Sequence, residues 1–203
     1  ALPITPAYAA TFTVSKLKDT NDGVCNADCS LREAVVEENA AAGADTIVLT
    51  SGSTYALTLT AGGTGDLDIT SDITITASGG TVAIIDPTTP AFNERVFDIS
   101  AAGNLTLDTI RVTTASTASD GAAILNAGTL TIQDNSEITS NSSTGGGAGT
   151  NGGGINSTGT LTITSSTFTS NSATNNGGAI FINGGTASIT SSTFNTQNAA
   201  AID

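Results

Sequence analysis

The sequence predicts an all-β solenoid, a single-stranded parallel β-helix closed at its start by a short capping helix. Three observations carry that expectation. A self-similar segment recurs at a period of roughly 25 to 31 residues. Within each copy apolar and polar side chains alternate with a period of two, the signature of strands with one face inward. One block near the N-terminus, "VCNADCSLREAVVEENAAAGADTIVL" from Val24 to Leu49, has neither property.

The copies begin at Gly121, Gly152 and Gly177: "GAAILNAGTLTIQDNSEITSNSS", "GGGINSTGTLTITSSTFTSNSAT" and "GGAIFINGGTASITSSTFNTQNA". Leu130-Thr131-Ile132, Leu161-Thr162-Ile163 and Ala187-Ser188-Ile189 are the alternating strands, and the Gly, Asn and Ser between them suit positive-φ corners. The first half carries the pattern more loosely, in "TIVLTSGSTYALTLT", "DLDITSDITITA", "TVAIIDP" and "RVFDISAAGNLTLDTIRV". Ala44 to Asp203 then makes about six or seven coils, an axis of ~30 Å at the spacing of paired strands. Leu, Ile, Val and Phe are expected to stack as inward ladders, with Asn141, Asn171 and Asn198 hydrogen-bonded rung to rung. An antiparallel sandwich predicts no internal period.

The domain division is an extended arm or signal-peptide remnant at 1–10, a cap at 11–45 and repeats at 46–203. Ala7-Tyr8-Ala9 in "ALPITPAYAA" has the small-x-small form of a signal-peptidase site, and either reading of the arm favours export. In the cap, Ser30-Leu31-Arg32-Glu33 spells a capping box opening a helix to about Asn39. Leu31, Ala34 and Val35 form its apolar stripe, leaving Glu33, Glu37 and Glu38 mainly to solvent. A solenoid needs such a lid, because its first coil otherwise exposes apolar rungs and unpaired strand edges.

Cys25 and Cys29 stand at C-x-x-x-C, spacing open to a disulfide in an exported chain or to zinc. Two cysteines without a histidine make a poor four-ligand zinc set. Asp19, Asn21, Asp22 and Asp28 offer hard oxygens suited to calcium, against the plainer alternative of an Asx turn entering the cap; no other cofactor is expected.

Composition narrows the function classes. Eighteen Asp and Glu against five Lys and Arg give a net charge of −13, which repels phosphate and so disfavours nucleic acid and anionic membranes; no apolar run is long enough for membrane insertion. Trp and His are absent, which removes the usual general base and the best stacking platform. Asp66 and Asp68, spaced i and i+2, face one way on a strand. They suit an acid/base or metal pair with Arg95 or Arg111 as the basic group, as in a polysaccharide lyase or hydrolase, or simply the solvent face of a strand whose Leu67 and Ile69 point inward. No catalytic residue is assigned. The Thr-x-Thr steps at Thr58–Thr60 and Thr74–Thr76 raise ice binding, but the outward motif is not kept in register through the repeats, and Thr is a good exposed strand residue.

"DTNDGVCNADCSLREAV", followed by "GADTIVL", "GDLDIT" and "RVFDIS", closely resembles the N-terminal block of the bacterial CSLREA-domain proteins. "FTSN" at Phe168–Asn171 and "GGAI" at Gly177–Ile180 resemble the paired tetrapeptides of polymorphic outer-membrane adhesins. The resemblance spans Thr11 to the end. It implies a right-handed β-helix, secretion to the cell surface or beyond, and a role in surface structure or adhesion, with no implied catalysis.

A fourth copy opens at Ala199 with "AAAID", so the preceding coil is expected to present an open edge. The expected partner is a second copy stacked head to tail, in an extracellular filament or surface layer. Leu2, Ile4 and Tyr8 of the arm would meet Ile189, Phe194 and Ile202 of the open end. The alternative partner is a cell-surface glycan or host protein, as for an adhesin passenger.

Overall fold

The computed structural model describes residues 9–41, 43–60, 65–87, 92–145 and 150–199. Two elements precede the solenoid, β1 (Thr11–Thr13) and α1 (Leu31–Ala40). Turn one is β2 (Ala44–Leu49), β3 (Thr54–Leu57) and β4 (Leu67–Ile69). Turn two is β5 (Asp72–Ala77), β6 (Ala83–Pro87) and β7 (Phe97–Ile99). A fourth strand joins in turn three: β8 (Asn104–Asp108), β9 (Ile110–Thr113), β10 (Ser116–Thr117) and β11 (Ile124–Asn126). Turn four is β12 (Thr129–Gln133), β13 (Glu137–Thr139), β14 (Ser142–Ser143) and β15 (Ile155–Ser157). Turn five is β16 (Thr160–Thr164), β17 (Thr167–Thr169), β18 (Ser172–Ala173) and β19 (Ile180–Ile182). A sixth turn begins with β20 (Thr186–Thr190), β21 (Thr193–Asn195) and β22 (Asn198–Ala199).

Each strand pairs in parallel with its counterpart one turn away, giving sheets ordered β1-β2-β5-β8-β12-β16-β20, β3-β6-β9-β13-β17-β21, β4-β7-β11-β15-β19 and β10-β14-β18-β22. The chain is therefore a parallel β-solenoid of about five turns. Paired strand positions Ala44, Asp72, Asn104, Thr129, Thr160 and Thr186 mark five complete turns of 25 to 32 residues each, so fewer turns fit than the shorter spacings in the sequence allow.

Register lines up the core. Ile47, Ile75, Leu107, Ile132, Ile163 and Ile189 form one inward ladder of the seven-stranded sheet. Ile73, Leu105, Leu130, Leu161 and Ala187 form the other. Through turn five these residues are at most 1% exposed, so each rung removes a whole aliphatic side chain from water, about 1.5–3 kcal/mol apiece before ordering costs.

The corners rest on hydrogen bonds as much as on glycine. Thr114, Ser140, Ser170 and Thr196 all have φ between 54° and 60°. That region is uncommon for a β-branched residue. The residue after each corner forms a rung: Asn141 Oδ1 accepts the Ala115 amide, Asn171 Oδ1 accepts the Asn141 amide, and Gln197 Oε1 accepts the Asn171 amide, at 3.0, 3.1 and 3.1 Å. The third rung is thus Gln197, one residue before the expected Asn198, which sits exposed in β22.

Candidate functional site

At the N-terminal end the cap imitates a turn that has no repeat sequence. β1 pairs with β2 as one more strand of its sheet. Over β3, the Leu17 carbonyl accepts the Ala56 amide, and Asp19 Oδ2 accepts those of Thr58 and Leu59, both at 2.8 Å. Over β4 and the residues leading into it, Arg32 donates to the Gly65 and Asp66 carbonyls, and Asn39 donates to Asp68 O while accepting Thr70 N. A peptide unit of a neighbouring parallel strand would make the same pair of bonds as the Asn39 amide.

These duties decide the fate of the cap's charges. Asp19 is gripped by Arg32 Nε and Nη2 at 2.8 and 3.0 Å, with both side chains at most 3% exposed. Asp28 turns outward to Lys16 at 2.6 Å, Asp22 Oδ1 accepts the Val24 amide, and Asn21 lies on the rim of a cleft beside α1. The four expected calcium ligands therefore point to different partners. No group of three or more Cys, Asp or Glu among the described residues is placed to hold a metal ion. Cys25 and Cys29 are joined in a disulfide.

The capping box forms as spelled, with Ser30 Oγ accepting Glu33 N and Glu33 Oε2 accepting Ser30 N. Yet Glu33 and Glu38 are buried, against the expectation that they face solvent. Burial pushes the Glu33 carboxyl up, but the Ser30 and Asp22 amides and the Thr20 hydroxyl outweigh it and hold it below the usual range. Glu38 has no such donors. Burial, and then the Asp45 carboxyl beside it, push it up to about 8. Neither Glu38 oxygen accepts a hydrogen bond, while Asp45 Oδ1 takes the Ala10 amide and leaves Oδ2 open. A protonated Glu38 donating to Asp45 satisfies that pair.

Next to the cap lies the carboxylate pair singled out in the sequence. Arg95 Nη1 bridges Asp66 and Asp98 at 3.2 and 2.9 Å, and Asp68 is the direct neighbour of Asp98 across β4 and β7. Arg111 is elsewhere, paired with Glu137 at 2.6 Å. Asp68 is raised by burial and by the Asp66 and Asp98 charges. Asp98 is raised by burial, which the adjoining guanidinium only partly offsets. Asp66 and Asp68 border the cleft of about 190 Å³ with Val35, Val36 and Asn39. The cluster has carboxyls able to exchange protons and a cation to steady an anion, but Arg95 is already shared between two of them.

The opposite end has no lid among the described residues. β19, β20, β21 and β22 are the outer strands of all four sheets, and Ile182, Ile189 and Phe194 are 37%, 44% and 39% exposed. Phe194 stacks on the buried Phe168 with ring centroids 4.8 Å apart. Two expected interface residues, Ile189 and Phe194, thus share this face, whereas Leu2, Ile4, Tyr8 and Ile202 lie outside the described residues. The sequence reading missed Ile182 here and the Arg32–Asp19 pair at the cap; a lone Arg in an acidic helix was the available signal for the latter.

No protein-family model, curated protein or solved structure matches the chain.

Proposed function

We propose that the chain is a structural β-solenoid, exported to the cell surface or beyond, whose copies stack head to tail into a filament or layer. The observation that carries this reading is the difference between the ends of the described residues: side chains close the first turn, while at the other end β19 of turn five and β20 to β22 of turn six are the outer strands of the four sheets and expose Ile182, Ile189 and Phe194. Among the described residues β1 and β20 are the outermost strands of one parallel sheet, so a stacked copy extends that sheet in the same sense. The Cys25–Cys29 disulfide and the net charge of −13 suit an extracellular setting. The CSLREA resemblance points to the same place. The Asp66–Arg95–Asp98 cluster reads as a bonded seam between turns one and two.

The test uses native material whose termini are verified by intact mass, examined by negative-stain microscopy and sedimentation at high concentration. End-to-end particles that disperse on Ile189→Asp or Phe194→Asp support the proposal. A monodisperse monomer overturns it, as does a gene in which further turns of the same polypeptide cover those edges.

A further inference from the structure

The sheet that runs the length of the molecule carries an outward feature that sequence alignment shows only in part. Strand pairing sets Thr11 beside Thr46, Thr46 beside Thr74, Thr74 beside Thr106, Thr106 beside Thr131, Thr131 beside Thr162 and Thr162 beside Ser188. Seven consecutive strands thus present one unbroken column of hydroxyls. In the last three turns one flanking column matches it, with Thr129, Thr160 and Thr186, while the other holds Gln133 on β12 and then Thr164 and Thr190.

We propose that this face is an ice-binding surface, with its strongest part on β12, β16 and β20. Hydroxyls two residues apart on a strand are about 6.6 Å apart, and neighbours across strands about 4.8 Å. The result is a rectangular net close to the two oxygen repeats on a prism face of hexagonal ice. β-branched Thr on a paired strand has few χ1 states, so the net is largely ordered before it meets a lattice and loses little entropy on binding.

Two independent observations favour ice over the bland reading of exposed strand threonines. Among the described residues, none of the six Thr hydroxyls in the central column makes a hydrogen bond. On the adjoining sheet, by contrast, Thr139 donates to Thr113 at 3.0 Å; within the face itself, the flanking Thr164 and Thr190 share a bond, at 3.4 Å. Moreover, β12, β16 and β20 carry no Asp, Glu, Lys or Arg, so the strands of this part of the face are neutral, while Asp72 and Asp108 lie on earlier strands and Asp134 at the corner after β12. Charged groups hold their own hydration shells and disrupt an ordered water layer. The face also has no aromatic residue on which a neutral polysaccharide could stack.

The experiment measures thermal hysteresis, ice-crystal shaping and recrystallisation with the whole chain, alongside Thr131→Tyr and Thr162→Tyr. Thr169→Tyr, outward on the adjoining sheet at the same turn, is the control. The expected result is faceted ice and a hysteresis gap for the parent and the control, both lost in the two face variants with β circular dichroism retained. Thr162→Lys repeats the test with a slimmer side chain if a tyrosine variant fails to fold. Ice growth unchanged by the folded parent overturns the proposal. So does equal loss in face and control variants, or retention of a neutral polysaccharide in place of ice.

Discussion

The two ends of this solenoid solve one problem in opposite ways. Turn one has its outer bonds made by Asp19, Arg32 and Asn39, which bring one buried ion pair and one amide into positions a backbone would fill. Turn six leaves the same kind of bonds unmade among the described residues. The lesson is that closing a parallel coil takes polar side chains of specific geometry as well as an apolar lid. That is why the cap helix buries Arg32, Glu33 and Glu38 along with its apolar stripe.

The sharpest way to break the contrast is to open the closed end. Arg32→Met leaves Asp19 buried without its cation and two carbonyls without donors, with an expected loss of about 3–5 kcal/mol in denaturant unfolding. A loss under half a unit of that scale would show that α1 is an ornament of the fold.

Next in size is a pH effect confined to the cap. Glu38 binds its proton more tightly folded than unfolded, so its contribution is complete below the ordinary glutamate range and is lost as pH rises to about 8. Stability should fall by several kcal/mol, on the order of 4, across that window, and then level off. Glu38→Gln should flatten the slope and be the more stable protein at alkaline pH. A parent whose melting temperature is level from pH 5 to 8 would refute the buried pair.

Within the body, Asn171→Ala removes the middle rung of the corner ladder and strands the Asn141 and Ile138 groups it serves, at a cost of about 1–3 kcal/mol. Reducing the Cys25–Cys29 bond should cost about 2 kcal/mol, because its loop is short. Smallest of all is the open end: Ile163→Ala is expected to cost about 2–5 kcal/mol, while Ile189→Ala, one rung further on the same ladder, should cost under about 1. Equal losses in thermal melts of these two variants would mean that something covers turn six in solution.

How much of this was legible depends on whether a feature is local. The alternation of Leu161-Thr162-Ile163, the capping box and the parallel winding follow from period and composition. The burial of Glu38 does not, since a helix reading assigns faces by hydropathy, and here a strand edge and Asp45 lie against the polar side. Gln197 was overlooked for Asn198 because the ladder position is set by the positive-φ corner at Thr196, not by residue type. The hydroxyl column was only partly legible: copies aligned at Gly121 and Gly152 bring Thr131 over Thr162, but the third copy has one extra residue before Ser188 and the first half lacks the repeat spelling, so the rest of the column emerges only from strand pairing.

Those unequal lengths have a use. The extra residues of the fourth turn fall between β14 and β15, whereas the next turn covers the corresponding stretch, β18 to β19, with fewer. Both sides of that corner keep their strand partners regardless. The winding therefore separates a metric part, which must count residues faithfully, from a slack part that need not. Peptides of several residues spliced after Thr144 should be carried as passengers, spaced along one edge of the rod at intervals set by the strands.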